Sequence, residues 1–204
     1  SSRMRSLSGR RAQLALETRL LHQVANLSAF TEPFEEALEK CVEVMCSVTG
    51  WPVGHVLVPD NSGEFLESTD IWYFADESQF ATLRDDLDLR YRRGEGVPGR
   101  IWETGEAVWS LHDSEAELAS GIPQAGLSGA FGFPVSANGE TVAVLEFLTP
   151  DEVAPDPQLL ILVGTIGTQL GRIIERLQWE DDRARLAAIV EGSYDAIIGK
   201  DLDG

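Results

Sequence analysis

Residues 127–137 (LSGAFGFPVSA) and 141–149 (TVAVLEFLT) are two β-rich runs separated by Asn138-Gly139. Asn-Gly between alternating apolar runs is the strongest short-range signal for a tight antiparallel hairpin. Side chains alternate across a strand, so each run has two faces to account for. Phe131, Phe133 and Val135 share one face of the first run; in the second, Val142, Val144 and Leu148 alternate with Ala143, Leu145 and Phe147. Both faces are therefore apolar. An antiparallel sheet normally keeps one face wet, and one that is apolar on both sides must be covered on both. This predicts an α+β fold built around a sandwiched antiparallel sheet.

The remaining elements supply the covers. Residues 11–30 place Leu16, Leu20, Val24 and Leu27 at spacings of four, four and three, an amphipathic helix. Thr31 reads as an N-cap with Glu32 and Pro33 behind it, opening a second helix to about Ser47 that Gly50 closes. Residues 53–58 and 65–74 form a hairpin around Pro59-Asp60-Asn61-Ser62-Gly63. A last long helix opens at Asp156-Pro157. Two covers follow: the helices from the chain's two ends on one face, and the irregular stretch 76–126 on the other. A loop-covered sheet face is a natural place for a ligand cavity.

The last helix carries two stripes. Leu159, Val163, Ile166, Leu170, Ile173 and Leu177 are spaced 4-3-4-3-4, a heptad seam. Beside them run Leu160, Gly164, Gly167, Gly171 and Ile174. Each glycine costs a helix roughly 1 kcal/mol against alanine, so three on one stripe imply that another backbone comes close. The expectation is that the sheet covers the glycine stripe. The Leu159–Leu177 seam, supported by Leu16, Leu20 and Val24, then meets a second copy in a parallel homodimer; the alternative is that the stripes exchange roles and the glycines let partner helices approach closely.

Charge removes one class of partner. With 34 acidic against 16 basic residues the net charge is −18, whereas nucleic-acid binding rests on basic residues that neutralise phosphates. No nucleic acid is expected. No uninterrupted apolar run approaches the roughly 18 residues that span a bilayer, so no membrane segment is expected in this stretch of chain. Cys41 and Cys46 form neither a CxxC pair nor a disulfide framework, and a reducing, cytoplasmic setting fits them. His22, His55 and His112 lie far apart in a helix, a strand and a loop, with no metal-ligand spacing.

GEGVPGRIWETGEAVWS (94–110) resembles the glycine turn, short helix and strand at the middle of GAF domains. TGWPVGHVLV (49–58), STDIWYF (68–74), GLSGAFGFPVSANGETVAVLEFLT (126–149) and GTIGTQLGRIIER (164–176) agree in order. Together they read like the GAF domains of bacterial hybrid sensor histidine kinases, over about residues 31–178. The resemblance implies a GAF-like antiparallel sheet of five or six strands with terminal helices on one face. On the other it implies a small-molecule pocket covered by loops and a short helix. RLAAIVEGSYDAIIGKDLDG (185–204) resembles the opening of a PAS domain. The expected organisation is a linker and dimerisation helix over 1–30, a GAF domain over 31–178, and a signalling-helix extension with a PAS start over 179–204.

The expected function is a sensory module that passes a signal along its last helix to an output domain, a histidine kinase, with no catalysis of its own. A ligand-free dimerisation spacer and the sensory module of a diguanylate cyclase or phosphodiesterase are the alternatives. GEGVPG satisfies a dinucleotide-binding pattern, but charged Arg90-Tyr91-Arg92-Arg93 precedes it where a buried strand is needed, so it reads as a turn into a helix. Bilin-binding relatives need a cysteine in the 76–126 region, and none is present. The cyclic-nucleotide signature is missing too. The candidate pocket residues are Asp70, Trp72, Phe74, Trp109, His112, Phe131 and Phe133, facing an unnamed small ligand, haem, or no ligand. Asp70 stands out because an acid inside an apolar strand must find a partner, an arginine such as Arg100 or a ligand.

Overall fold

A computed structural model describes residues 34–86, 90–110, 125–151 and 154–178, together with Thr18. Apart from Thr18, the predicted helix 11–30, with Leu16, Leu20 and Val24, lies outside the described residues, as do His112 and residues 179–204.

Helix α1 (Phe34–Thr49) leads into strands β1 (Val53–Pro59) and β2 (Leu66–Phe74). Helix α2 (Glu77–Asp86), strand β3 (Arg90–Tyr91), helix α3 (Gly96–Thr104) and strand β4 (Val108–Trp109) follow. Strands β5 (Gly129–Ala137) and β6 (Glu140–Thr149) then form the hairpin, and helix α4 (Pro157–Gln178) closes the described chain. The six strands make one sheet in the order β3-β2-β1-β6-β5-β4, and all of its pairings are antiparallel. Asn138 and Gly139 turn the β5–β6 hairpin with φ of 52° and 82°, the left-handed pair that a two-residue turn demands.

The two apolar faces found in the sequence become two cores. On one side α1 and α4 pack Leu38, Cys41, Met45, Ile166 and Leu170 against Phe131, Phe133, Leu145 and Phe147. On the other, α2 and α3 pack Phe80, Leu83, Val97, Ile101 and Trp102 against Val53, Leu57, Val144 and Leu148. The stretch expected to be irregular is thus partly helical. Helix α3 starts at Gly96, within the GEGVPG stretch read as a turn, because Pro98 is tolerated in a first turn. Its approach follows an antiparallel edge strand with Gly94 and Gly96 at positive φ. That is a turn into a helix, with none of the parallel βαβ context a dinucleotide loop requires.

Helix α4 overturns one expectation. Val163, Ile166, Leu170 and Ile173 are 1%, 0%, 0% and 4% exposed, and Leu159 and Leu177 pack against the same core. The residues assigned to an intermolecular seam therefore face the chain's own sheet. Both 3-4 stripes of this helix are amphipathic by spacing, and the wider apolar one has gone inward. Gly167 and Gly171 also meet the sheet, at the Pro134 and Ser136 carbonyls, while a Cβ at Gly164 would meet nothing within 4 Å. Among the described residues α4 alone is long and apolar enough to cross a membrane, but burial against the sheet accounts for its apolar side chains.

Candidate functional site

The centre of the α3-covered face holds a polar pair. His55 on β1 and Glu146 on β6 sit directly opposite each other in register. His55 Nε2 and Glu146 Oε2 share a hydrogen bond of 2.6 Å, and the two side chains are 0% and 1% exposed. Val53 and Leu57 flank His55 on its face, as Val144 and Leu148 flank Glu146, so the pair is enclosed by the second core. Trp72, opposite His55 on β2, stacks on its ring with centroids 4.3 Å apart, and Phe74 stacks on Trp72 at 5.4 Å. The Trp72 indole N–H is satisfied by the Thr69 carbonyl at 3.0 Å.

On the far side of Glu146 the same row of the sheet reaches Gly132 on β5. Here the missing side chain makes room. A Cβ at Gly132 would lie 2.6 Å from Ile101 Cδ1, so α3 is seated directly over this position. Tyr91, from β3, contributes a buried phenol whose ionisation is pushed up by burial and then by the carboxylates of Glu146 and Glu95. It remains a neutral hydroxyl at any physiological pH. The arrangement is an apolar wall with a stacked aromatic row, one carboxyl and one imidazole at its centre. Chemically it suits recognition by stacking and hydrogen bonding. His55 Nδ1 is buried without a hydrogen-bond partner among the described residues, an unusual condition for a buried polar atom.

The sequence-predicted pocket residues divide between the two faces. Trp72 and Phe74 belong to the α3 side. Trp109, Phe131 and Phe133 belong to the α1–α4 side, so the expectation of one cavity walled by Trp72, Trp109 and Phe131 together is corrected. Alternation decides it: in β5 the phenylalanines share the face of Val135, leaving Ala130 and Gly132 for the α3 side. Trp109 and Phe133 instead line a groove of about 620 Å³ between α4 and the β4–β5 edge, beside Leu160, Gly164 and Arg172. Asp70 is exposed on the half-open strand β2, where water meets its charge, so it needs no buried partner.

The thiols lie on the opposite side of the sheet from the His55–Glu146 pair. Cys41 and Cys46 are free and buried in α1. Burial pushes the Cys41 thiol up to about 12 and Cys46 higher still, so neither is a thiolate at neutral pH. Among the described residues no cluster of three or more His, Cys, Asp or Glu side chains is arranged to hold a metal ion.

Solved structures share this architecture at low sequence identity. The GAF domain of Aquifex aeolicus nlh2, described as in an inactive state, is 19% identical with a TM-score of 0.60, covering 80% of this chain and 98% of that one. Free methionine-R-sulfoxide reductase from Neisseria meningitidis, solved with its substrate, is 16% identical with a TM-score of 0.65, covering 81% and 93%. A domain assigned to a two-component sensor histidine kinase of Sinorhizobium meliloti is 17% identical with a TM-score of 0.57, covering 76% and 99%. At these identities the likeness is one of fold. No curated protein sequence matches the chain. A family profile described as GAF domain matches residues 31–175, most of the chain. The sandwiched six-stranded sheet, the helix pairing and the profile agree: this chain belongs to the GAF domain family, whose members are generally sensory and regulatory modules.

Proposed function

We propose that this GAF domain senses a small molecule on the α3-covered face of its sheet and relays the bound state through α4 to an output domain. The observation that carries the reading is the buried His55–Glu146 pair, stacked on Trp72, with His55 Nδ1 left without a partner. Burying a polar group costs stability unless its hydrogen bonds are made, and a ligand's polar group would supply the one that His55 Nδ1 lacks. The matching ligand is small, with a flat or apolar body for the Trp72 row and a polar group for the imidazole. A histidine kinase is the output we favour, in a cytoplasmic protein. The Sinorhizobium neighbour supports that context, and the resemblance of residues 185–204 to a PAS opening is in keeping with it.

The chain has no catalysis of its own in this reading. Both cysteines are sequestered in the helix-side core, away from the pair, which supports recognition over thiol chemistry. Association into a homodimer remains part of the proposal, but on a different surface from the buried seam. Leu160 and Ile161 on α4 are 40% and 73% exposed, and they continue into exposed Gly164, Thr165 and Thr168. One observation favours a ligand-free spacer instead, because Ile101 already occupies the room above Gly132.

A thermal-shift screen of metabolite classes separates the two. The sensory reading expects at least one compound to raise the melting temperature of the wild type and to lose that effect in the paired His55→Leu, Glu146→Leu variant. A spacer gives no compound-dependent shift in either protein, and a shift that survives in the variant places recognition elsewhere.

A further inference from the structure

Strand β4 is two residues long and pairs only with Phe131 and Gly132 of β5. Beyond Gly132 the outer edge of β5 has no strand neighbour among the described residues, and α4 lies along it. The contacts repeat. A Cβ at Gly167 would sit 2.5 Å from the Pro134 carbonyl oxygen, and one at Gly171 would press into the Ser136 carbonyl oxygen. One step further, the Asn138 backbone N–H donates to Glu175 Oε1 at 2.8 Å, and Asn138 Nδ2 donates to Gln178 Oε1 at 3.0 Å. Helix residues 167, 171 and 175 thus meet chain residues 134, 136 and 138, four residues of helix for every two of chain, the last in the hairpin turn. Four helical residues advance about 6.0 Å and two strand residues about 6.6 Å, so the three contacts, separated by two steps, stay in phase.

We propose that this three-contact register, between β5 with its hairpin turn and α4, carries a change on the α3-covered face to the C-terminal end of α4. The inference rests on the sensory reading above. Strand β5 touches both ends of the path. Its Gly132 lies opposite Glu146 and beneath Ile101, two residues before Pro134, where the contact with α4 begins. At Gly167 and Gly171 the helix meets backbone carbonyls with no side chain between, so there is no rotamer freedom to absorb a small displacement of the strand. Packed elements of this kind transmit strain. The Asn138 hydrogen bonds then hold Glu175 and Gln178, at the C-terminal end of the described helix. The glycine stripe serves this contact at Gly167 and Gly171, whereas Gly164 lies outside it.

Hydrogen exchange of the α4 amides tests the path in this chain. Glu146→Gln supplies the perturbation at the far end, and α1 amides correct for any change in global stability. In the wild-type background Glu146→Gln is expected to change exchange in residues 174–178 several-fold. In a Glu175→Ala, Gln178→Ala background the same change should fall below twofold, and in a Gly164→Ala background it should persist. A response that survives loss of Glu175 and Gln178, or no response in the wild-type background, overturns the proposal. A register-dependent response in a protein that binds no small molecule would instead end the sensory reading and leave the mechanical coupling in place.

Discussion

At the scale of single residues, His55 and Glu146 decide most of the site. The rule that an acid inside an apolar strand must find a partner singled out Asp70, which is exposed, although it applies with more force to Glu146 in AVLEFL. The signal was present at Glu146 and in the strand histidine His55, but their pairing was not. They lie 91 residues apart and meet only through the β1–β6 register. Removing one partner leaves the other buried and unpaired. His55→Leu or Glu146→Leu is expected to lower unfolding free energy by about 3 kcal/mol, with the double variant recovering much of it. Urea denaturation of the three proteins measures this; additive losses would mean the two side chains do not act as a pair.

The thiols give a residue-scale prediction with a pH sign. An acidic group whose folded pKa is raised loses its proton first in the unfolded chain. Native stability is therefore full below the free-thiol value of 9.0 and falls as pH rises above it. Each thiol contributes a slope of about 1.4 kcal/mol per pH unit there. Denaturation at pH 8 and pH 10 should show the fall, and replacing Cys41 and Cys46 by alanine should flatten it. A thiol reagent at pH 8 should label neither cysteine until the chain unfolds.

At the scale of elements, α4 shows what spacing leaves undecided. A 3-4 repeat of large aliphatic residues specifies an apolar stripe, and a core-facing stripe and a coiled-coil seam have the same period over three heptads. Ile166 and Leu170 went to the sheet because Phe133, Leu145 and Phe147 offer them a complementary apolar face. The glycines were legible as close-approach positions, and two of the three are. The sign of substitution should follow. Gly164→Ala meets open space and is expected to stabilise the chain by about 1 kcal/mol through helix propensity. Gly167→Ala and Gly171→Ala drive a methyl group into a carbonyl and are expected to cost about 1–3 kcal/mol each. Thermal unfolding of the three variants checks the pattern; a uniform gain would mean that α4 does not ride on β5.

At the scale of the molecule, the sandwiched sheet was readable from two strands. Their apolar faces required two covers, and Asn138-Gly139 fixed the hairpin that carries them. The division of aromatics between the covers was not readable, because it depends on the parity with which β4 and β5 meet the sheet. The same limit applies to association. If copies meet through the exposed face of α4, sedimentation at tens of micromolar should report a dimer, and Ile161→Glu should weaken it at least tenfold while leaving the fold intact. Leu170→Glu should unfold the chain instead, since that side chain is in the core. An Ile161→Glu protein that remains fully dimeric would exclude this surface.

The central claim is that the α3-covered face receives a small molecule. Native mass spectrometry of the purified chain, after incubation with a small-molecule extract of cells, tests it most directly. A discrete added mass is expected on the wild type, released on denaturation and missing from the paired His55→Leu, Glu146→Leu variant. A bare-chain mass for both proteins, or the same added mass on both, would contradict it.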